Sequence, residues 1–579
     1  MPDKSTEKIH YTINIKDPES HYLHIKTDFK NLSFDEDYTD LILPVWRSGR
    51  YLVFDFASGL RDFNAVNEAG GNIKWEKTDK CTWRIYNNKK GFSISYLMYA
   101  YEFSFRTKGL DTSHAFVNGM SAFMYAEKFR YEPVTLKINQ YADWHVTTGL
   151  EYTINGYFIA PNYDYLVDCP IEIGNQKDHE FIVNGKKHVI RFYGDAEYDI
   201  EKLIKEFSII IKKNHEFWGR IPYEKYIFIV HCTPSSGGGT EHINSTVLGA
   251  KPTSFESEQN IRAFLRLISH EFFHTWNVKQ IKPAGLTPYD YTKENYTSEL
   301  WIAEGGTSYY DGLMLTRTGQ MSVDDLFKEI TSGVDDERRR PGNRVQSAAD
   351  SSFDAWVKFW RRCPDAYIAQ SDYYAKGSYV CMALDLGIRN LSGNKYSLDN
   401  VYKVMYERFP LDVRGYTNDD FMRLCEEFTG ERFEQFFADY VFGTKPIDWE
   451  KYLLYAGLEL YTEANQAQPI LGLFAAKIGD KITIENVLTG SPADKYGLKK
   501  GDEIAACDGI RMTYEDLEKK IKSMKTGDRI EFSVFRKDKL LNVLMIFEER
   551  SIVTYKLRKS DNPTELQKAI FEKWVESKW

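Results

Sequence analysis

His270-Glu271-Phe272-Phe273-His274 reads HExxH. Two histidines four residues apart project from one face of a helix, so both imidazoles can grip a single zinc ion. The glutamate between them is offset along the helix, where it can serve a zinc-bound water as general base. The pattern is short enough to arise by chance, so its surroundings decide. Ile261, Phe264, Leu265, Ile268 and Phe272 recur at helical spacing and define one apolar stripe. At about 100° per residue, His270 and His274 fall roughly 180° and 220° from Ile261. A helix packed by that stripe aims both histidines at a cleft.

The elements around this helix change character along the chain. Up to about residue 190 the sequence reads as short strands: Tyr11–Ile15 and Tyr22–Ile25 alternate apolar with polar, and Lys16-Asp17-Pro18 and Ala69-Gly70-Gly71-Asn72 mark turns. From about 195 the period becomes helical over Ile200–Phe217, Tyr226–Val230 reads as a strand, and Gly237-Gly238-Gly239 is expected to break it. Helices follow at Asp324–Gly333 and Tyr379–Asn390, then onward to about 460. Strands return between about 465 and 550: Lys481–Glu485 and Ile530, Phe532 and Val534 alternate, Asp508-Gly509 turns, and Tyr514–Met524 is helical. In the tail, Leu566, Ile570, Phe571, Trp574 and Val575 form a helical stripe that must dock on something, most simply the same chain.

Composition bounds the function classes. The length of 579 residues suggests three or four domains at about 150 residues each. A balance of 75 basic and 84 acidic residues, net −9, argues against non-specific nucleic-acid binding. No apolar run is long enough to span a membrane. The opening Met1–Lys8 is polar and lacks the apolar core of a secretion signal. Seven scattered cysteines without a CxxC pair fit reduced thiols in the cytoplasm, or, if a leader has been trimmed, a periplasmic or secreted protein.

A catalytic zinc needs three protein ligands and one open position. A histidine at the end of HExxHxxGxxH is excluded, because Asn277 and Gln280 stand where the glycine and third histidine belong. A glutamate from a downstream helix remains, with Glu294, Glu299 and Glu304 as candidates. Here the chain resembles the gluzincin aminopeptidases, the broad class of aminopeptidase N. Trp301-Ile302-Ala303-Glu304-Gly305-Gly306 looks like their W-x-x-E-G element, which would make Glu304 the third ligand of one zinc per chain. The spacing 304 − 274 = 30 implies an insertion; the usual spacing would fall on Lys293, which cannot ligate as ammonium. Gly237-Gly238-Gly239-Thr240-Glu241-His242 resembles the G-x-M-E-N element. There Gly238 and Gly239 would lie along the substrate backbone and Glu241 would bind its α-amine, though His242 replaces asparagine. Tyr373-Tyr374-Ala375-Lys376-Gly377 resembles Y-x-K-G, with Tyr374 as oxyanion donor and Glu271 as the catalytic base.

The chain resembles the glycyl aminopeptidase family more closely. His274–Lys279 with Ile281-Lys282-Pro283 looks like its extended zinc helix. Leu43-Pro44-Val45-Trp46-Arg47-Ser48-Gly49-Arg50-Tyr51 is similar to its L-P-x-W-x-P-G-x-Y, with Ser48 in place of proline. Ser491-Pro492-Ala493 and Gly497–Ile504 resemble a PDZ core, whose carboxylate loop would be Leu471, Gly472, Leu473 and Phe474. The resemblance implies a multidomain protein. Its parts would be an N-terminal all-β domain (1–194), a thermolysin-like α/β zinc peptidase domain with a helical region (195–460), a PDZ domain (465–550) and a tail helix (551–579). It implies release of a small N-terminal residue, glycine or alanine, from peptides with a free N-terminus, and a C-terminal peptide as ligand of the PDZ groove. Endopeptidase action on the same scaffold, or a peptide-binding protein with an inactive site, are the alternatives.

Overall fold

The computed structural model describes residues 8–101, 106–361, 363, 365–411, 413–464, 468–488, 490–550 and 553–579. The opening segment up to Glu7 lies outside them. The N-terminal region is β-rich as expected. Ile9–Asn14 buries every second residue, and pairs antiparallel with Tyr22–Phe29 so that Ile13 faces Ile25. These two strands sit inside a seven-stranded sheet, and smaller sheets of four and three strands complete the domain. A single five-residue α-helix, Tyr163–Val167, interrupts the strands up to Gly174 among the described residues.

Sheet membership changes soon after Gly174, earlier than the expected boundary at 194. The hairpin Asp178–Val183 and Lys186–Tyr193 joins a five-stranded sheet through parallel pairing of its second strand with Lys225–Cys232. Lys186–Tyr193 buries a continuous run, His188 to Phe192, as a strand covered on both faces does. Lys225–Cys232 pairs onward with Ser245–Ala250, and Gly238–His242 closes the sheet as its outer strand. The glycine triplet therefore does more than interrupt a strand: two of its members form the sheet edge.

Helix Glu258–Phe273 begins at Ser257, whose hydroxyl accepts from the Asn260 amide. It buries Phe264, Leu265, Ile268 and Phe272, with Ile261 half-buried at the margin of the stripe. The helical region behind it includes Gly306–Arg317, Val323–Arg339 and Tyr373–Leu391. The last starts six residues ahead of the periodic signal at Tyr379. Asp372 caps it by accepting from the amides of Tyr374 and Ala375, which satisfies donors that would otherwise end the helix.

The PDZ domain is a five-stranded sheet with Leu473–Ile478 at one edge and helix Tyr514–Ser523. Its core includes Leu471, Ile484, Leu498, Leu517, Ile530, Phe532 and Val534. The chain then returns: Val553–Lys559 pairs antiparallel with Leu458–Ala464, and helix Glu565–Val575 docks. Ile570, Phe571, Trp574 and Val575 enter the core of the central domain, and the Trp574 indole donates to Tyr309 at 2.8 Å. Leu566 stays 38% exposed and does not join them. All seven cysteines are unpaired and six are buried. No helix among the described residues is long and apolar enough to cross a membrane.

Candidate metal centre and active site

The histidine helix ends at Phe273, and His274 caps it in helical geometry. The two imidazoles therefore still share one face. His270 Nε2 and His274 Nε2 lie 3.1 Å apart, and Glu304 Oε2 lies 3.1 Å from the second and 3.8 Å from the first. Ligand atoms bonded tetrahedrally at about 2.0–2.1 Å stand about 3.3 Å apart, so the triangle has the dimensions of a zinc site. The other ring nitrogens are committed. His270 Nδ1 meets Asp311 Oδ2 at 3.1 Å, and His274 Nδ1 meets the Asn277 carbonyl at 2.6 Å. Both partners only accept, so Nδ1 carries the proton and the Nε2 lone pairs point at one another. In that tautomer a cation at their meeting point would satisfy both lone pairs. Burial opposes charge on His270, yet Asp311 and Glu304 drive its pKa up to about 10, so the pocket favours positive charge and a proton competes with a metal ion for Nε2. Burial opposes ionisation of Glu304, yet His274 and His270 hold it down at about 2.

Glu304 sits in a π-helical turn, Trp301–Gly305, which runs directly into Gly306–Arg317; such turns are frequent at functional sites. A Cβ on Gly305 would come within 2.5 Å of the Gly377 backbone, and one on Gly377 within 2.6 Å of the Trp301 carbonyl. These two glycines let the Tyr373–Leu391 helix cross close enough to stack Tyr374 beside His270, with ring centroids 6.3 Å apart. The Tyr374 hydroxyl is held neutral, its pKa raised well above the ordinary value by burial and by Glu304.

Glu271 is buried on the same helix, and burial, opposed by the two histidines, raises its carboxyl to about 7. Its Oε2 has no hydrogen-bond partner among the described residues, and the residue lines the cavity that holds the three candidate ligands. A Cβ on Gly239 would collide with that carboxylate at 2.4 Å, so glycine is what lets the edge strand pass it. Glu241, on the same strand, is buried, and one of its oxygens lies within 4.8 Å of a Glu271 oxygen and a His274 ring nitrogen. Glu241, Gly238, Gly239, Glu271, Tyr374 and the three candidate ligands all line one cavity of about 350 Å³.

Other expected positions resolve as follows. Glu299 is spent on Ser298, Thr297 and the Asn418 amide, and Lys293 is exposed beside Asp290. His242 turns into a buried network with Asp168, which also holds Lys279 at 2.9 Å and Ser48. The insertion between His274 and Glu304 packs on the N-terminal domain, where Trp46 donates to the Asp290 carbonyl at 2.7 Å. Leu471, Gly472, Leu473 and Phe474 lie in the PDZ domain: Leu471 is buried in its core, Gly472 has φ +74°, Leu473 starts the edge strand and Phe474 is exposed.

Sequence reasoning passed over four contributors. Tyr51 reaches from the N-terminal domain to donate to Glu304 Oε1 at 3.3 Å. Asp311 orients His270 and is itself held by Arg266 at 2.8 Å. Arg106 and Trp360 line the cavity. Asp311 had a signal, since 311 − 304 = 7 places it two helical turns beyond Glu304. Tyr51 closes the Leu43–Tyr51 motif, which did not itself point to Glu304; Trp360 and Arg106 had no signal. A further His–Glu cluster lies away from this site: His231 Nε2 meets Glu172 Oε2 at 2.9 Å, with His114 alongside.

Family-wide sequence profiles match the chain in three places. They are the Peptidase M61 N-terminal domain over residues 10–175, the M61 glycyl aminopeptidase over 263–380 and a PDZ domain over 469–545. No curated protein sequence matches it. Among solved structures, an aminopeptidase N family protein from Idiomarina loihiensis is 27% identical, with a TM-score of 0.90 over 97% of this chain and 100% of its own. Leukotriene A4 hydrolase from Saccharomyces cerevisiae is 14% identical with a TM-score of 0.45, covering 77% of this chain and 67% of its own. An M1 zinc metallopeptidase from Deinococcus radiodurans is 12% identical with a TM-score of 0.45, covering 73% and 90%. The chain carries the N-terminal and catalytic domains of the M61 glycyl aminopeptidase family, followed by a PDZ domain.

Proposed function

We propose that this peptidase is a zinc-dependent aminopeptidase that releases a small N-terminal residue, glycine or alanine, from peptides. The observation that carries this reading is the convergence of His270 Nε2, His274 Nε2 and Glu304 Oε2 while both Nδ1 atoms are held by acceptors. These three residues would hold one zinc ion per chain. Bound there, zinc would bring the pKa of a water to about 7 and polarise the scissile carbonyl.

The chain's own residues do the rest. Glu271, with its pKa near 7, takes the proton of the attacking water and returns it to the leaving amine. Tyr374 donates its hydroxyl to the oxygen that gains charge, a contribution of about 3 kcal/mol to the barrier. Gly238 and Gly239 offer edge-strand main chain to the substrate backbone. Glu241 anchors the α-amine, so one residue fits ahead of the scissile bond. A preference for glycine or alanine is supported by the family description. The edge strand Leu473–Ile478 suits addition of a C-terminal peptide strand, its carboxylate on the amides of Leu471 to Phe474. Seven unpaired thiols suit a reducing compartment such as the cytoplasm.

A panel of aminoacyl-anilides, run with and without chelator, tests the reading. Glycyl and alanyl anilides should be cleaved best, with cleavage lost to chelator and in Glu271→Ala. Equal cleavage of N-terminally blocked peptides, unaffected by Glu241→Ala, would favour endopeptidase action. Absence of any chelator-sensitive cleavage would leave the peptide-binding alternative.

A further inference from the structure

We propose that a helix-lined cavity beside the metal centre receives the residue after the scissile bond, and that Asp372 selects a basic side chain there, lysine or arginine; the inference rests on the aminopeptidase reading, with Glu241 as amine anchor. This cavity, of about 500 Å³, lies among helices Gly306–Arg317, Val323–Arg339 and Tyr373–Leu391 and is bounded by Trp574 of the tail helix. Arg266, Asp311 and Tyr374 line both it and the metal cavity. The remaining walls differ. Gly49, Gly238, Gly239 and Glu241 line the metal cavity, whereas the helical cavity takes no described residue from the edge strand or the N-terminal domain. With its amine held at Glu241, a peptide brings its scissile carbonyl to Tyr374, and the residue beyond continues toward the cavity that Tyr374 also lines.

Charge decides what fits there. Arg266 is the one basic residue lining the cavity among those described, and it is already paired, with Asp311 at 2.8 Å and Glu329 at 2.7 Å. Asp372 lines the cavity with spare capacity. Its Oδ1 accepts from the amides of Tyr374 and Ala375 at 2.9 and 3.3 Å, while its Oδ2 accepts nothing among the described residues. Burial raises the pKa of Asp372, and Arg340, whose Nε is spent on the Gln370 carbonyl at 3.0 Å, offsets this only in part. An ammonium or guanidinium arriving here supplies the counter-charge that the fold leaves out. Leu326, Ile330 and Met382 offer apolar wall to the methylene stem of such a side chain. An acidic side chain would instead meet Asp311, Glu329 and Asp372 with only Arg266 to oppose them.

The test compares glycyl-lysinamide, glycyl-norleucinamide and glycyl-glutamic acid amide on the zinc-loaded full chain. Wild-type kcat/KM should favour lysine over norleucine by about 10-fold, with the glutamyl peptide slowest. Asp372→Asn keeps the oxygen that caps the helix and removes the charge. In it the lysine preference should fall to near one through KM, while cleavage of the norleucine peptide stays as it was. Ser332 is exposed and lines the cavity, so Ser332→Trp should slow the lysine and norleucine peptides together and spare glycyl-glycinamide. Equal handling of lysine and norleucine by the wild type, a preference that survives Asp372→Asn, or indifference of both bulky peptides to Ser332→Trp overturns the assignment. The same lysine preference on N-acetylated peptides would preserve the cavity's role and overturn only the aminopeptidase reading.

Discussion

His270, His274 and Glu304 offer the same ligand types as His114, Glu172 and His231, in comparably tight groups, but the protons are placed differently. At the first cluster both Nε2 atoms converge on one Glu304 oxygen, at 3.8 and 3.1 Å, while each Nδ1 faces an acceptor. At the second, His231 Nε2 donates directly to Glu172, and the His114 ring stacks on Tyr193 at 3.5 Å. The second cluster is buried where strands His114–Val117 and Ile171–Gly174 of one sheet meet Lys225–Cys232 of another. Glu172 Oε1 has no hydrogen bond among the described residues. Burial opposes its charge, yet His231 and His114 keep its pKa below the ordinary carboxylate value. Residue type and closeness match at the two clusters; the way the rings are oriented is what differs.

The largest expected effect breaks the comparison at the catalytic cluster. Glu271→Ala should lower kcat by about 100- to 10,000-fold while metal analysis still finds one ion per chain. Tyr374→Phe should cost about 100- to 1,000-fold in kcat with KM little changed. Orientation comes next: Asp311→Asn and Tyr51→Phe should each weaken zinc affinity by about 10- to 100-fold, read by chelator competition. The smallest effect on chemistry is at the seam, where Glu172→Gln should leave metal content and kcat/KM intact. Breaking this buried pair should cost about 3–5 kcal/mol of stability, seen in denaturant unfolding. Because Glu172 titrates below 4.5 when folded, its contribution is fully present above that pH and fades as pH falls through the folded value. The variant should therefore lose less stability on acidification than the wild type.

What the sequence made legible follows from how far each interaction reaches. The two histidines, Glu271 and Glu304 are short-range signals, set by helical spacing and flanking residues. The early start of the Tyr373–Leu391 helix depends on one cap, Asp372, that breaks the apolar period. Glycine signals a turn and a close approach alike: periodicity read Gly237–Gly239 as a break, the family resemblance read Gly238 and Gly239 as an edge beside the substrate, and they fold as an edge passing Glu271. The hairpin at 178–193 lies in a β-rich stretch, and its partner strand is distant in sequence. Tyr51 meets Glu304 across 253 residues, and no spacing rule covers that distance.

The account's central claim is that orientation of His270, His274 and Glu304 creates one metal site, and metal analysis of the purified full chain tests it most directly. Zinc reconstitution should give one tightly held ion per chain, lost in Glu304→Gln and kept in Glu172→Gln. Two ions per chain, or one that survives Glu304→Gln and leaves with Glu172→Gln, would contradict it.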